Sequence, residues 1–101
     1  MLDIESILKL LKTYDNESLS VQEFCNQYIK LFASIEAGEI DGVLYHILED
    51  LFEDIDSYSP MWTPKDEAEY PYRITEPTLR SEVQKGLLEL KEYRLARHTK
   101  Q

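Results

Sequence analysis

Hydrophobic residues recur at three- and four-residue spacing in four segments of the chain, which is the spacing of amphipathic helices rather than strands. The predicted helices cover about residues 3–14, from Ser20 to the break at Gly38, about residues 41–57, and from about residue 75 towards the basic tail. Ser20 and Glu23 have the spacing of a capping box at the second start. No segment alternates as a strand does, so the pattern predicts an all-α protein, an antiparallel four-helix bundle.

The third predicted helix separates apolar from acidic residues most sharply. At 100° per residue, one arc of the helical wheel is apolar: Leu44, Ile47, Leu48, Leu51, Phe52, Ile55 and Tyr58. The opposite arc is acidic: Glu49, Asp50, Glu53, Asp54 and Asp56, with Asp56 at the boundary. Four like-charge pairs at i+3 or i+4 would destabilise this helix by roughly 1 to 2 kcal/mol. A basic partner would relieve that repulsion, whereas solubility alone does not require it.

A long acidic and aromatic loop is predicted between the third and fourth helices. Pro60 and Pro64 are expected to end the third helix, and "SPMWTPKDEAEYPYRI" follows. Connections in helical bundles usually span ~2 to 8 residues, and longer ones are often functional. This region supplies the aromatic and acidic candidates for partner binding: Tyr58, Trp62, Asp66, Glu67, Glu69, Tyr70 and Tyr72. Tyr58 has the alternative of capping the bundle core.

The charge of the chain is concentrated in its middle third. The 101 residues, expected to form a single domain with a basic tail (94–101) that frays, carry a net charge of -9. Between Glu36 and Tyr72 there are eleven acids and one base, Lys65, so that segment is -10 and the remainder is +1. Nucleic acid is therefore not expected as a direct ligand, because phosphate contacts need Lys and Arg. A basic protein partner is expected instead, with surface solubility as the alternative.

The inventory of metal-ligating and cofactor-binding residues is poor, so no metal and no cofactor is expected. His46 precedes Glu49 and Asp50 at helical spacing but lacks further nitrogen or sulfur donors, which favours an exposed histidine. "DIDSYSPMW" lacks the central glycine and distal glutamate of a calcium loop. Cys25, the one cysteine, lies on an apolar stripe and is expected to be a buried thiol in a reducing cytoplasm.

Catalysis is not expected either. A row of carboxylates along one helix face has the wrong geometry for acid–base or glycosidase chemistry, which needs two carboxyl groups across a cleft. "ESLS" places Ser18 in a context similar to the modified serine of carrier proteins, but the Ser20 cap explains the same residues locally. We therefore expect a binding protein rather than an enzyme.

Three segments resemble a known family. "SVQEFCNQYIKLF", "LYHILEDLFEDIDSYSP" and "ITEPTLRSEVQKGLLELKEY" resemble the colicin D immunity protein family, the bacterial self-protective colicin-like immunity proteins. The resemblance runs from about Glu5 to Tyr93. Its most specific residues are listed together: Leu51, Phe52, Ile55, Asp56, Tyr58, Leu79, Arg80, Glu82 and Val83.

The resemblance implies a four-helix immunity protein that neutralises a cognate nuclease toxin, often one that cleaves transfer RNA, or a contact-dependent inhibition toxin. Carboxylates of the third helix and the loop would stand where RNA phosphates lie in the toxin's basic cleft. It also implies a cytoplasmic bacterial protein, and we expect a monomer when free. The competing interpretation is an acidic adaptor or regulatory subunit of a larger assembly.

Overall fold

The computed structural model describes residues 3–36 and 38–99, and within them it contains five helices and no strands. The helices are α1 (Ile4–Asp15), α2 (Val21–Ala33), α3 (Gly42–Ser57), α4 (Pro64–Glu69) and α5 (Glu76–Thr99). The all-α class predicted from the sequence is confirmed. Helix α5 continues through residues 94–99 of the basic tail, whereas residues 100 and 101 lie outside the described part of the chain.

Side-chain caps explain where the first three helices begin. The carboxylates of Asp3 and Asp41 and the hydroxyl of Ser20 each accept a backbone N–H of the first turn. The predicted start of the second helix at Ser20 is confirmed. That helix ends earlier than its apolar pattern predicts, because the Ser34 hydroxyl donates to the Leu31 carbonyl and caps the C-terminus.

The core is built where the apolar faces of four helices meet. Helix α1 contacts α2 and α5, and α3 contacts the same two helices. Tyr14 stacks on Phe24 with ring centroids 4.4 Å apart, and the Tyr28 hydroxyl donates to the Leu48 carbonyl over 2.7 Å. Cys25 is buried as expected, and this burial raises the pKa of its thiol to about 11.

The predicted loop over residues 59–74 is wrong in one respect, because it contains the short helix α4. Pro64 does not end the third helix but begins α4, since the missing N–H of a proline costs nothing at a first helical position. Thr63 caps α4 through a capping box with Asp66. The chain then returns to the end of α3, where the Ile74 N–H donates to the Ser57 carbonyl over 3.2 Å.

Helices α3 and α5 approach closely at Gly86. A Cβ atom on Gly86 would lie 2.8 Å from Cδ1 of the buried Leu51. The glycine thus allows close packing here, because a larger side chain would require Leu51 to shift. This contact brings the acidic face of α3 next to charged residues of α5.

Candidate functional site

A groove between α3 and α5 brings together five carboxylates from two helices. We call it the acidic groove, and its charged side chains are Asp50, Glu53 and Asp54 of α3 and Glu82, Lys85 and Glu89 of α5. Among the described residues that line it Lys85 is the one base, so the groove is strongly negative. The walls between these groups are Ile47 and Leu51.

Asp54 is the carboxylate most affected by this environment. The pKa of Asp54 is raised from its usual 3.8 to about 6, first by burial and then by the carboxylates of Glu82, Asp50 and Glu53, while Lys85 opposes them. Desolvation and like charges both disfavour an ionised carboxylate. The acidic groove therefore holds negative charge that the chain itself does not neutralise.

Asp54, predicted on the outward acidic arc, lies against α5 and is half-buried. It follows Ile47 by seven residues, so the two side chains lie ~20° apart on the helical wheel and Asp54 belongs at the border of the apolar arc. Asp50 and Glu53 stay exposed at the groove, and the Nε2 atom of the exposed His46 lies 3.5 Å from an Asp50 carboxylate oxygen. An exposed histidine at position 46 was expected, and this is confirmed.

Two predicted acids of α3 lie outside the acidic groove, and two acids of α5 join it unpredicted. Glu49 is half-buried and Asp56 is exposed, but neither lines the groove. Glu82 and Glu89 were missed, although their seven-residue spacing places them on one face of a helix. The spacing marks that face, but it does not reveal that the face lies beside α3.

Arg73 contacts three side chains of the segment between α3 and α5. Its guanidinium lies 4.3 Å from the ring centre of Trp62 and 4.1 Å from that of Tyr70. Asp66 lies 3.9 Å from the same guanidinium. Trp62 is held as well by its indole N–H, which donates to the Ser57 carbonyl over 3.2 Å. We call this arrangement the Arg73 cluster.

Two of the three acids predicted for this segment are engaged within the chain. Asp66 accepts hydrogen bonds from the backbone and hydroxyl of Thr63, and these bonds lower its pKa. Glu67 accepts a 2.7 Å hydrogen bond from the Thr75 N–H, which lowers its pKa. Glu69 is exposed. Hydrogen bonds to an ionised carboxylate stabilise it, so Asp66 and Glu67 support the segment itself.

The aromatic candidates also divide by position. Tyr58 is half-buried against the core and forms an isolated parallel bridge with Ile74, as the core-capping alternative expects. Trp62 is half-buried in the Arg73 cluster. Tyr70 and Tyr72 are exposed, with their ring centres 6.1 Å apart, and Tyr70 also contacts the Arg73 guanidinium.

A family model describing bacterial self-protective colicin-like immunity matches residues 2–90 of the chain. The chain belongs to this family. Members of this family bind cognate toxins, and the chain is therefore a toxin-neutralising immunity protein. The acidic groove and the Arg73 cluster are features of its surface. In the other two comparisons, no curated protein and no solved structure matches the chain.

The described residues of this immunity protein contain neither a metal-binding cluster nor a membrane-spanning helix. Residues 3–36 and 38–99 contain no group of three or more His, Cys, Asp or Glu side chains placed to hold a metal ion. No helix in these ranges is both long and apolar enough to cross a lipid bilayer.

Proposed function

We propose that this immunity protein neutralises a nuclease toxin, in particular a transfer-RNA-cleaving ribonuclease domain, by covering its basic active-site cleft. The observation that carries the proposal is the crowding of carboxylates around Asp54, whose pKa is raised to about 6. A cationic cleft would supply the positive charge that the acidic groove lacks. Carboxylates on this surface would occupy the positions of RNA phosphates.

The outer surface of α3 enlarges the proposed contact. Glu49 and Asp56 extend the negative charge of α3 beyond the acidic groove, and the segment that follows α3 adds the exposed Glu69, Tyr70 and Tyr72. Negative charge speeds the encounter with a positive partner, and aromatic side chains slow its release. The mechanism is steric occlusion, and no bond is made or broken.

We also propose that the protein is a cytoplasmic bacterial monomer in which the four longer helices form an antiparallel bundle. The closed series of contacts from α1 to α2, α3, α5 and back to α1 supports that arrangement. A contact-dependent inhibition toxin is a second source of the same nuclease chemistry.

The test starts with a pull-down of the tagged protein from its native bacterial lysate. The recovered partner is then assayed for cleavage of transfer RNA, with and without added immunity protein. We expect a basic nuclease domain that the wild-type chain inhibits, and a loss of at least about 100-fold in affinity for the Glu53→Lys/Asp54→Lys variant. Glu17→Lys/Glu36→Lys is the control, because it reverses two exposed acids outside the acidic groove.

Other results would refute the proposal. Recovery of a toxin without nuclease activity would reject the nuclease target, and recovery of an assembly that contains no toxin would support an acidic adaptor or regulatory subunit. Inhibition that is equally sensitive to both double variants would mean that overall charge, rather than the acidic groove, drives binding.

A further inference from the structure

The acidic groove continues along the same two helices into an apolar stretch. Towards the start of α3 and the end of α5, the lining residues become Gly42, Val43, His46, Ile47, Tyr93 and Ala96, with Glu89 and Glu92 on the rim. Ile47 and Glu89 line both parts, so the acidic and apolar stretches form one continuous groove. We call the whole feature the α3/α5 groove.

The apolar stretch exposes hydrophobic surface close to concentrated negative charge. Five apolar side chains of α3 are buried, but Val43 on the same helix is 65% exposed. From Val43 to Asp54 the helix rises by ~17 Å, at ~1.5 Å per residue. An extended chain of about five residues spans that length. One short peptide segment could therefore contact both stretches at once.

We propose that the α3/α5 groove docks a single cationic segment of the toxin protein, with an apolar side chain on Val43, Ile47 and Ala96. Lysine or arginine side chains of that segment lie among Asp54, Glu82 and Glu89. This inference rests on the proposed function and deepens it, because it names the chemistry of the segment that the immunity protein recognises.

Charge complementarity selects this occupant. The acidic stretch has five carboxylates and one lysine, so an acidic or neutral segment would leave its charge unrelieved. A purely basic segment would leave the apolar stretch in water, whereas an apolar side chain beside the cations covers it. The two stretches together therefore favour a segment that is both cationic and apolar.

The experiment titrates the isotope-labelled full chain with two synthetic peptides and follows its backbone amide signals by NMR. Both peptides have the same length and the same number of lysines, but one carries two leucines where the other carries glycines. We expect the leucine peptide to bind about tenfold more tightly. Its signal changes should be concentrated at Val43, Ile47, Glu82 and Glu89.

Matched variants then separate the two stretches. Val43→Ser should weaken the leucine peptide about fivefold and leave the glycine peptide unchanged. Leu88→Ser is its control, because Leu88 is 62% exposed on α5 but does not line the groove. Glu82→Gln/Glu89→Gln should weaken both peptides about tenfold, against less than about twofold for Glu17→Gln/Glu36→Gln.

Three results would overturn the inference: equal affinities for the two peptides, signal changes spread over all acidic surfaces, or equal effects of Val43→Ser and Leu88→Ser. The peptides do not require the toxin, so selective binding would stand even if the partner proves not to be a nuclease. Conversely, failure of peptide binding while the toxin is still inhibited would reject the α3/α5 groove and leave the proposed function intact.

Discussion

The acids of the acidic groove and the acids of α4 have opposite relations to the fold. Burial and like charges raise the pKa of Asp54, whereas hydrogen bonds from Thr63 and Thr75 lower the pKa values of Asp66 and Glu67. In the sequence Asp54, Asp66 and Glu67 belong to one continuous acidic region. The hydrogen-bond donors around each carboxylate, rather than the number of carboxylates, decide which acids stabilise the chain.

This difference suggests where binding energy can be gained. Asp66 and Glu67 already have partners, so a toxin would have to compete with their internal hydrogen bonds. Asp54 and Glu82 repel each other in the free protein, and a cation placed between them would remove an existing cost. The acidic groove is thus a better candidate than α4 for the centre of an interface.

Removal of the Arg73 guanidinium should have the largest effect on stability. Arg73→Ala loses two cation–π contacts and the Asp66 ion pair, which we expect to lower the free energy of unfolding by about 2 kcal/mol. Trp62 is the only tryptophan, so its fluorescence should report the loss of the Arg73 cluster. Denaturant unfolding of the wild type and the variant measures both effects.

Lys65→Ala is the control for this experiment. Lys65 is exposed on α4, so the variant removes the same charge from the same segment. Equal losses of stability in the two variants would mean that positive charge alone, rather than the stacking of Arg73, holds the segment.

Gly86→Ala should give the next largest effect, by separating α3 from α5. Alanine favours the helix by about 1 kcal/mol, but its Cβ would overlap the buried Leu51, and overpacking costs about 1 to 3 kcal/mol. We expect a net destabilisation of roughly 1 kcal/mol in denaturant unfolding. Water entering the widened groove should also lower the pKa of Asp54 from about 6 towards its usual value, as measured by NMR titration.

Gly42→Ala provides the matched comparison, since nothing lies within 4 Å of a Cβ at that position. It should be neutral or stabilising and leave the pKa of Asp54 unchanged. A stabilising Gly86→Ala variant would show that Leu51 can move aside without cost, and that the close approach does not maintain the acidic groove.

Some of these features can be predicted from the sequence, and others depend on the tertiary structure. The periodicity of the apolar residues identifies the long helices and their buried faces, because burial repeats with the helical turn. Helix α4 has six residues and no buried stripe, and its one sequence signal is the "TPKD" cap. The proline of that cap, Pro64, predicts the end of the third helix instead. The border position of Asp54 follows from its seven-residue spacing from Ile47. The roles of Glu82 and Arg73, in contrast, depend on which elements are neighbours in space, which a helical wheel does not contain.

Neutralising Asp54 should stabilise the protein. The folded pKa of about 6 lies above the usual 3.8, so the wild type loses stability as the pH rises through this interval. The difference between the folded and the usual pKa corresponds to at most ~3 kcal/mol, and screening of this half-exposed group reduces the expected gain for Asp54→Asn to about 1 kcal/mol at pH 7.5. Thermal unfolding from pH 4 to 8 should show the gain disappearing near pH 4.

Asp56→Asn is the control, because Asp56 is exposed and outside the acidic groove. The groups that face Asp54 are Asp50 and Glu53 of α3, Glu82 and Lys85 of α5, and Tyr28 of α2. An equal gain in the two variants would assign the effect to net charge rather than to the groove.

Neutralising Glu67 should have the smallest effect and the opposite sign. The Glu67 carboxylate accepts hydrogen bonds from the N–H and hydroxyl of Thr75, and a neutral amide oxygen accepts more weakly. Its folded pKa lies below the usual 4.5, so its contribution is present at neutral pH and is lost as the pH falls through the folded pKa. Glu67→Gln should therefore melt at a lower temperature than wild type at pH 7.5 and coincide with it in acid.

Glu69→Gln is the matched control for Glu67→Gln, because Glu69 is an exposed acid at the end of the same helix. It should leave the melting temperature unchanged at both pH values. The comparison between the two regions depends on sign: at pH 7.5 Asp54→Asn should raise the melting temperature and Glu67→Gln should lower it. If both variants were stabilising, general repulsion in a chain of net charge -9 would explain them, and the acidic groove would have no special status.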